Sequence, residues 1–330
     1  MLEQVLKQDK QDEAHNCKKS REEKGKNWND MPNEMKVMIM KNMDFITRTR
    51  LKMCSKADKS LGETFPIAIS TLAFNSTNRN NQLYPTRFSL SVPGSERDLL
   101  KFEHSPNLLR VWKLRYGKLR IMEQTRQGPD MSKVFEGFFY GILLARNHRI
   151  EEFRTQCNLD ESYIPDGQVF HFDSAKIRLI DGKECVKWLR HIAPGVKDIR
   201  SGCEGVLEGV GDLPCVLNAK YLSFSNTDIT DDQLLNFKAT QLYLASSKVT
   251  VDGIRKLIKK WIDNDYPIGS RLRIDIKRRP AHSLIIEQVL EGLDYELEDR
   301  RFAKIAMGPN KFMRCSINYD IEAEIYSNNN

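Results

Sequence analysis

The 330 residues contain no apolar run of the roughly eighteen needed to cross a bilayer as a helix, so no membrane span is expected. From Gln8 to Lys26 the chain is polar and lacks the apolar core of a secretion signal, which predicts a reducing compartment, cytosol or nucleus. Seven cysteines, at 17, 54, 157, 185, 203, 215 and 315, are odd in number and unpaired in spacing, which argues against a disulfide framework. No Cys-x-x-Cys, His-x-x-x-His or His-Glu-x-x-His occurs, so no metal cluster has ligands at workable spacing, and no cofactor is expected. Cys185 and His191 lie nearly opposite on a predicted helix, which disfavours a thiol–imidazole nucleophile there. The glycine run Gly202–Gly211 sets Glu204 and Glu208 where phosphates would sit, and no Gly-Lys-Ser/Thr follows. It reads as a loop between two structural units. No catalytic residue is expected, and the chain is read as a non-enzyme.

What is present begins with charge. The formal balance is +7 in a chain that is 29% charged, which does not by itself demand nucleic acid. Residues 1–26 mix both signs and are read as a disordered arm. The segment from Trp28 to Ser55 is different. Asp30 is placed to cap a helix, Pro32 sits where a missing amide costs little, and Glu34 faces the positive helix end. Met31, Met35, Met38, Ile39 and Met43 then recur at helical spacing. Val37 and Met40 point elsewhere, so the helix is apolar on more of its circumference than one core needs. A small element that is apolar on two sides needs a partner as well as its own fold.

Residues 27–66 resemble an F-box, the helical module that tethers proteins to the adaptor of cullin-based ubiquitin ligases. Met31-Pro32 stands where the family has Leu-Pro, and Glu34 matches its acidic position. Ile39 and Met43 match apolar positions of the first helix, and Leu51 and Cys54 those of the second. The family's tryptophan after the cysteine is missing, since Ser55-Lys-Ala-Asp-Lys59 follows instead. The wording is most similar to the divergent F-box proteins of nematodes, which carry an associated C-terminal domain. The resemblance implies a three-helix module docking a Skp-type adaptor, and through it a cullin, by Met31, Pro32, Glu34, Met35, Ile39, Met43, Leu51 and Cys54.

After Pro66 the pattern turns to strands. Ile67–Phe74 is β-rich; Phe88, Leu90 and Val92 alternate, as do Trp112, Leu114 and Tyr116 before a turn at Gly117-Lys118. Met131–Arg146 is predicted helical, with Val134, Phe135, Phe138, Phe139 and Ile142 buried. The stretch 67–163 is thus a mixed part of the region after the F-box. Over 164–300 the chain repeats: Leu222, Phe224, Ile229, Thr230, Asp232 and Leu234 match Leu242, Leu244, Val249, Thr250, Asp252 and Ile254, a period of 20 residues. Each copy reads as strand, turn and Thr-x-Asp opening a helix, as in leucine-rich-type solenoids. Val169–Phe172 with Cys185–Ile192, and Leu272–Ile276 with Ser283–Leu293, are read as degenerate copies. At 301–326, Phe302–Met307, then Gly308-Pro-Asn310, then strict alternation through Met313, Cys315, Ile317, Tyr319, Ile321, Ala323 and Ile325 predict a half-buried hairpin. The expected fold is α+β or α/β.

One charged cluster remains. Arg255–Arg279 holds nine Lys or Arg against three Asp, a net of +6. With Ile254, Leu257, Ile258, Trp261 and Ile262 on the core side, Arg255, Lys256, Lys259 and Lys260 face outward, and Arg271, Arg273, Lys277, Arg278 and Arg279 follow in or just after the next strand. This is either a solvated face or a site for an acidic or phosphorylated target. Poor aromatic interleaving disfavours nucleic acid. The expected function is a substrate receptor of a cullin-type ubiquitin ligase. The alternatives are a non-degradative scaffold that keeps the adaptor contact, or a nucleic-acid-associated repeat protein using the basic cluster.

Overall fold

Two units account for the chain, residues 1–70 with 89–149 and residues 71–88 with 150–330. The computed structural model describes residues 28–43, 51, 54–63, 67–76, 85–91, 99–105, 108–115, 118–125, 139–144, 148–276, 286–318 and 320–327. The sequence segment 67–163 is divided between the two units, whereas 164–300 lies within the second. The charged arm at 1–26 lies outside the described residues.

The first unit opens with a 3-10 turn, Trp28–Asp30, and helix α1, Asn33–Asn42. Pro32, not Asp30, occupies the N-cap, and no side chain caps the helix. Asp30 is instead consumed in the preceding turn. Leu51 is helical, and α2 spans Lys56–Glu63. Strand β1, Ile67–Ser76, leaves this unit for the second after Ser70, and β2 covers Pro85–Ser91. Strands β3, Leu99–Ser105, β4, Leu108–Arg115, and β5, Lys118–Thr125, form an antiparallel meander. β4 and β5 pair with Arg115 opposite Lys118; of the turn expected at Gly117-Lys118, Lys118 belongs to β5 and Gly117 lies outside the described residues. Of the helix expected at Met131–Arg146, residues 139–143 are helical with Phe139 and Ile142 buried; Val134, Phe135 and Phe138 lie outside the described residues.

The second unit is α+β, built on an eleven-strand mixed sheet. Its parallel part comprises β6 (His148–Thr155), β7 (Phe172–Arg178), β8 (Asp198–Gly202), β9 (Tyr221–Thr227), β10 (Gln241–Ser246) and β11 (Arg271–Ile276). Helices fill the crossovers: α3 (Gly182–Arg190), α4 (Pro214–Asn218), α5 (Asp231–Asn236) and α6 (Val251–Asp263). Each strand pairs with the next in sequence, so the order never reverses. This part therefore has no switch point of the kind where open α/β sheets bind ligands.

The two segments matched at a period of 20 are direct ladder neighbours, Leu222 beside Leu242 and Phe224 beside Leu244. Leu272 and Ile274 extend the same rows. These side chains are all but fully buried, each contributing about 1.5–3 kcal/mol by leaving water. The helices lie on this face, since the buried Cys185 thiol of α3 meets Ser201 of β8 at 2.8 Å. The residues between them point the other way because the strand alternates. Thr230 and Gln233 form a capping box for α5, and Thr250 caps α6 by accepting from Gly253.

Two strands of the parallel part escaped the sequence reading. β6 carries Ile150 and Phe153 three apart, and β8 has Ile199 as its one apolar residue, so neither alternates visibly. The strand expected at Val169–Phe172 begins later, at Phe172. Of Ser283–Leu293, α7 (Ile286–Val289) is helical, and residues 277–285 lie outside the described set. The C-terminal part is larger than a hairpin: β12 (Glu296–Asp299), β13 (Phe302–Gly308), β14 (Lys311–Ile317) and β15 (Ile321–Ser327) run antiparallel. β15 then pairs with β11 and continues the main sheet. The apolar alternation continues from Ile317 to Ile321, so period alone hid the break between β14 and β15.

Candidate functional site

In the N-terminal module the helix apolar on two sides resolves into an inner and an outer side. Met40 is fully buried, whereas Met35 and Met38 are 52% and 66% exposed and Ile39 also faces out. Met31, Val37 and Met43 are half-buried, and Pro32 and Glu34 are exposed. The residue set aside as pointing elsewhere, Met40, is thus the one that anchors the helix. Leu51 is half-buried and Cys54 exposed, with the Cys54 amide donating to Leu51 O at 2.9 Å.

What holds this module closed was not read from the sequence. Asp58 on α2 is buried, and its carboxylate accepts from the Trp28 indole N–H at 2.9 Å and from Ser55 Oγ at 2.8 Å. The Asp58 amide donates back to Ser55 Oγ, which caps α2. The first residue of the module is thereby tied to its last helix. The signal lay in Ser-x-x-Asp at 55–58, a capping pattern, and in Trp28 beside a chain that otherwise lacks the later tryptophan.

The second candidate site, the basic cluster, divides between opposite sides of the second unit. On α6, Lys256 pairs with Asp252 at 2.7 Å, and that bond raises its pKa. Lys260 donates to Leu235 O and Phe237 O, the carbonyls at the end of α5, and burial lowers its pKa. Lys259 is exposed. Arg255 reaches Val289 O and Glu291, fastening α7. Arg271 and Arg273 lie on the helix-free face, where Arg271 pairs with Glu324 and Arg273 with Asp320, each at 2.6 Å. Those partners raise both arginine pKa values. The net of +6 read along the chain is therefore not one surface, because β15 brings acidic residues from far along the sequence against β11.

Residues 28–68 match the F-box domain family model. The N-terminal module is an F-box. Comparison of the whole chain with curated proteins and with solved structures gave no match. An F-box implies attachment to a Skp-type adaptor and, through it, to a cullin-based ubiquitin ligase; F-box proteins are typically non-catalytic receptors. The exposed methionines of α1 therefore belong to a module whose business is docking.

Outside the F-box, Cys157, Cys185, Cys215 and Cys315 are buried and Cys203 is half-buried. Burial pushes the Cys185 and Cys315 thiols up to about 12 and Cys215 to about 11. A thiol held protonated is a poor nucleophile. His191 closes α3, its Nδ1 within 3.0 Å of Gln168 O. No group of three or more metal-ligating side chains is found among the described residues. The glycine run packs as a junction: the backbones of Gly182 and Gly205 meet so closely that a Cβ on Gly182 would lie 2.2 Å from Val206 O. That approach requires Gly205, and a left-handed φ of 69° favours glycine at Gly209.

Proposed function

We propose that this chain is a substrate receptor of a cullin-type ubiquitin ligase, docking a Skp-type adaptor with its F-box and holding a target with its C-terminal unit. The observation that carries the reading is the split of α1 into a buried Met40 and an exposed Met35, Met38 and Ile39. Methionine conforms to a partner surface without demanding one geometry, and apolar anchors supply most of the affinity in helix-in-groove contacts. The docking set is Met31, Pro32, Glu34, Met35, Ile39, Met43, Leu51 and Cys54, with Met38 added on account of its exposure. The parallel strand–helix units are read as leucine-rich-repeat-like, an extended sheet face on which a target can lie.

Such a receptor works by proximity. Holding a target lysine near a thioester carried by another subunit raises its effective concentration, and no acid, base or nucleophile of this chain is required. The test is co-purification of the full chain with a Skp-type adaptor in high salt. Met38→Asp with Ile39→Asp is expected to abolish retention while leaving the fold intact, because both residues already face solvent. If the unaltered chain never retains adaptor, the reading falls. Ubiquitination of a bound target then separates a receptor from a non-degradative scaffold. Polynucleotide binding with a steep salt slope, weakened by Lys259→Glu, would favour the nucleic-acid alternative instead.

A further inference from the structure

Away from the helices, the parallel strands present cationic and aromatic side chains in register. Lys176, Arg200, Ser223, Tyr243 and Arg273 are successive ladder partners in one row. In the adjacent row Tyr221 stands beside Asp198 and Gln241. The Tyr221 and Tyr243 rings stack with centroids 5.5 Å apart, and the Arg200 guanidinium lies over Tyr221 at 4.3 Å. At the usual strand spacing the strip from β8 to β11 is about 14 Å wide. Rings and guanidinium groups already held in place lose little rotamer freedom on binding. Tyrosine and arginine are also the residue types that most often carry interface energy.

Charge gives the strip a direction. Towards β6, Arg154 and Lys176 share the single carboxylate of Glu152. Burial raises the Glu152 pKa, but hydrogen bonds from both cations outweigh it and hold the carboxyl below its ordinary value. Arg178 is exposed and makes no ion pair among the described residues. Arg200 is matched by Asp198. This end thus carries two cations beyond its carboxylates. At the other end Arg271 and Arg273 are matched by Glu324, Asp320 and Glu322, which leaves no surplus. A phosphate dianion is best held by several donors converging on one point. Here the cations are spread over β6, β7 and β8, a spread that suits carboxylates distributed along an extended segment.

We propose that the strip from Arg178 and Arg200 to Tyr243 seats an acidic, aromatic-containing peptide segment of a target protein. Its carboxylates lie over β7 and β8, and its apolar side chain rests on the Tyr221–Tyr243 pair. This rests on the reading of the C-terminal unit as the part that holds a target. The test is fluorescence anisotropy of the full chain with four synthetic peptides of about twelve residues. One is Asp/Glu-rich with a central Phe-Leu, one is the same with Gly-Ser in its place, one is Lys-rich with Phe-Leu, and one carries phosphoserines with Phe-Leu. The first is expected to bind tightest and to weaken as salt rises. Arg178→Glu with Arg200→Glu, or Tyr243→Ala, is expected to cost about tenfold in affinity, with Tyr243→Phe near the unaltered chain. Unchanged thermal melts identify variants that still fold. No binding of the acidic peptide, equal binding of the Lys-rich one, tighter binding of the phosphopeptide, or indifference to the arginine reversals would overturn the proposal. Adaptor retention is measured on the same preparations. Adaptor held with no peptide bound sinks the peptide site alone, whereas peptide bound with no adaptor held sinks the ligase reading and leaves the site standing.

Discussion

Asp231 couples neighbouring strand–helix units through one carboxylate, accepting from the Thr250 amide at 2.8 Å and from Thr250 Oγ1 at 2.6 Å. The carboxylate fits because the next helix has Gly253 there, where a Cβ would lie 2.0 Å from Asp231 Oδ1. Gly253→Ala is therefore expected to destabilise the second unit by about 1–3 kcal/mol, read as a lower urea midpoint, despite the better helix propensity of alanine. A second prediction concerns Asp58: Asp58→Leu leaves the Trp28 N–H and the Ser55 hydroxyl without their acceptor, at a cost of about 1–3 kcal/mol. Its readout is loss of protection of α2 in hydrogen exchange. The buried thiols make a third. Below their ordinary value of about 9, Cys185 and Cys315 are protonated folded or unfolded. Above it the unfolded chain ionises them while the folded chain does not, so stability falls with rising pH until about 12. The folding equilibrium is expected to drop about tenfold per pH unit for each thiol in that window. Cys315→Ala should flatten the slope in unfolding curves measured above pH 9.

At the scale of elements, α6 shows how a charged helix face can be structural. Lys260 donates to the last carbonyls of α5, which would otherwise lack partners. Lys260→Ala is expected to cost about 1 kcal/mol and Lys259→Ala close to nothing, measured side by side by thermal unfolding. Spacing alone could not separate the two, because both lie on the side of α6 away from Leu257 and Ile258. The same limit explains the elements that went unseen. β8 is recognisable as a strand only because β7 and β9 flank it, and the end of β14 is visible only where the chain turns back to reach β11.

For the molecule as a whole, two chemistries of binding predict opposite salt responses. An apolar F-box contact through Met35, Met38 and Ile39 should survive salt that screens charge, while capture on the Arg178–Arg200 face should fade over the same range. Washing a loaded chain with rising salt is expected to release the peptide first and keep the adaptor. Release in the reverse order would contradict both assignments. The F-box, the absence of metal and nucleotide motifs, and the period that aligns Leu222 with Leu242 were all legible in the order of residues. Each of these depends on local spacing, which a helix or a strand converts directly into a face. Which side of α1 is inner, the closing of Asp58 on Trp28 and the division of the basic cluster emerge from packing. Those outcomes depend on partners such as Glu324 and Asp320, whose distance along the chain leaves no periodic trace and whose meeting is fixed by strand order.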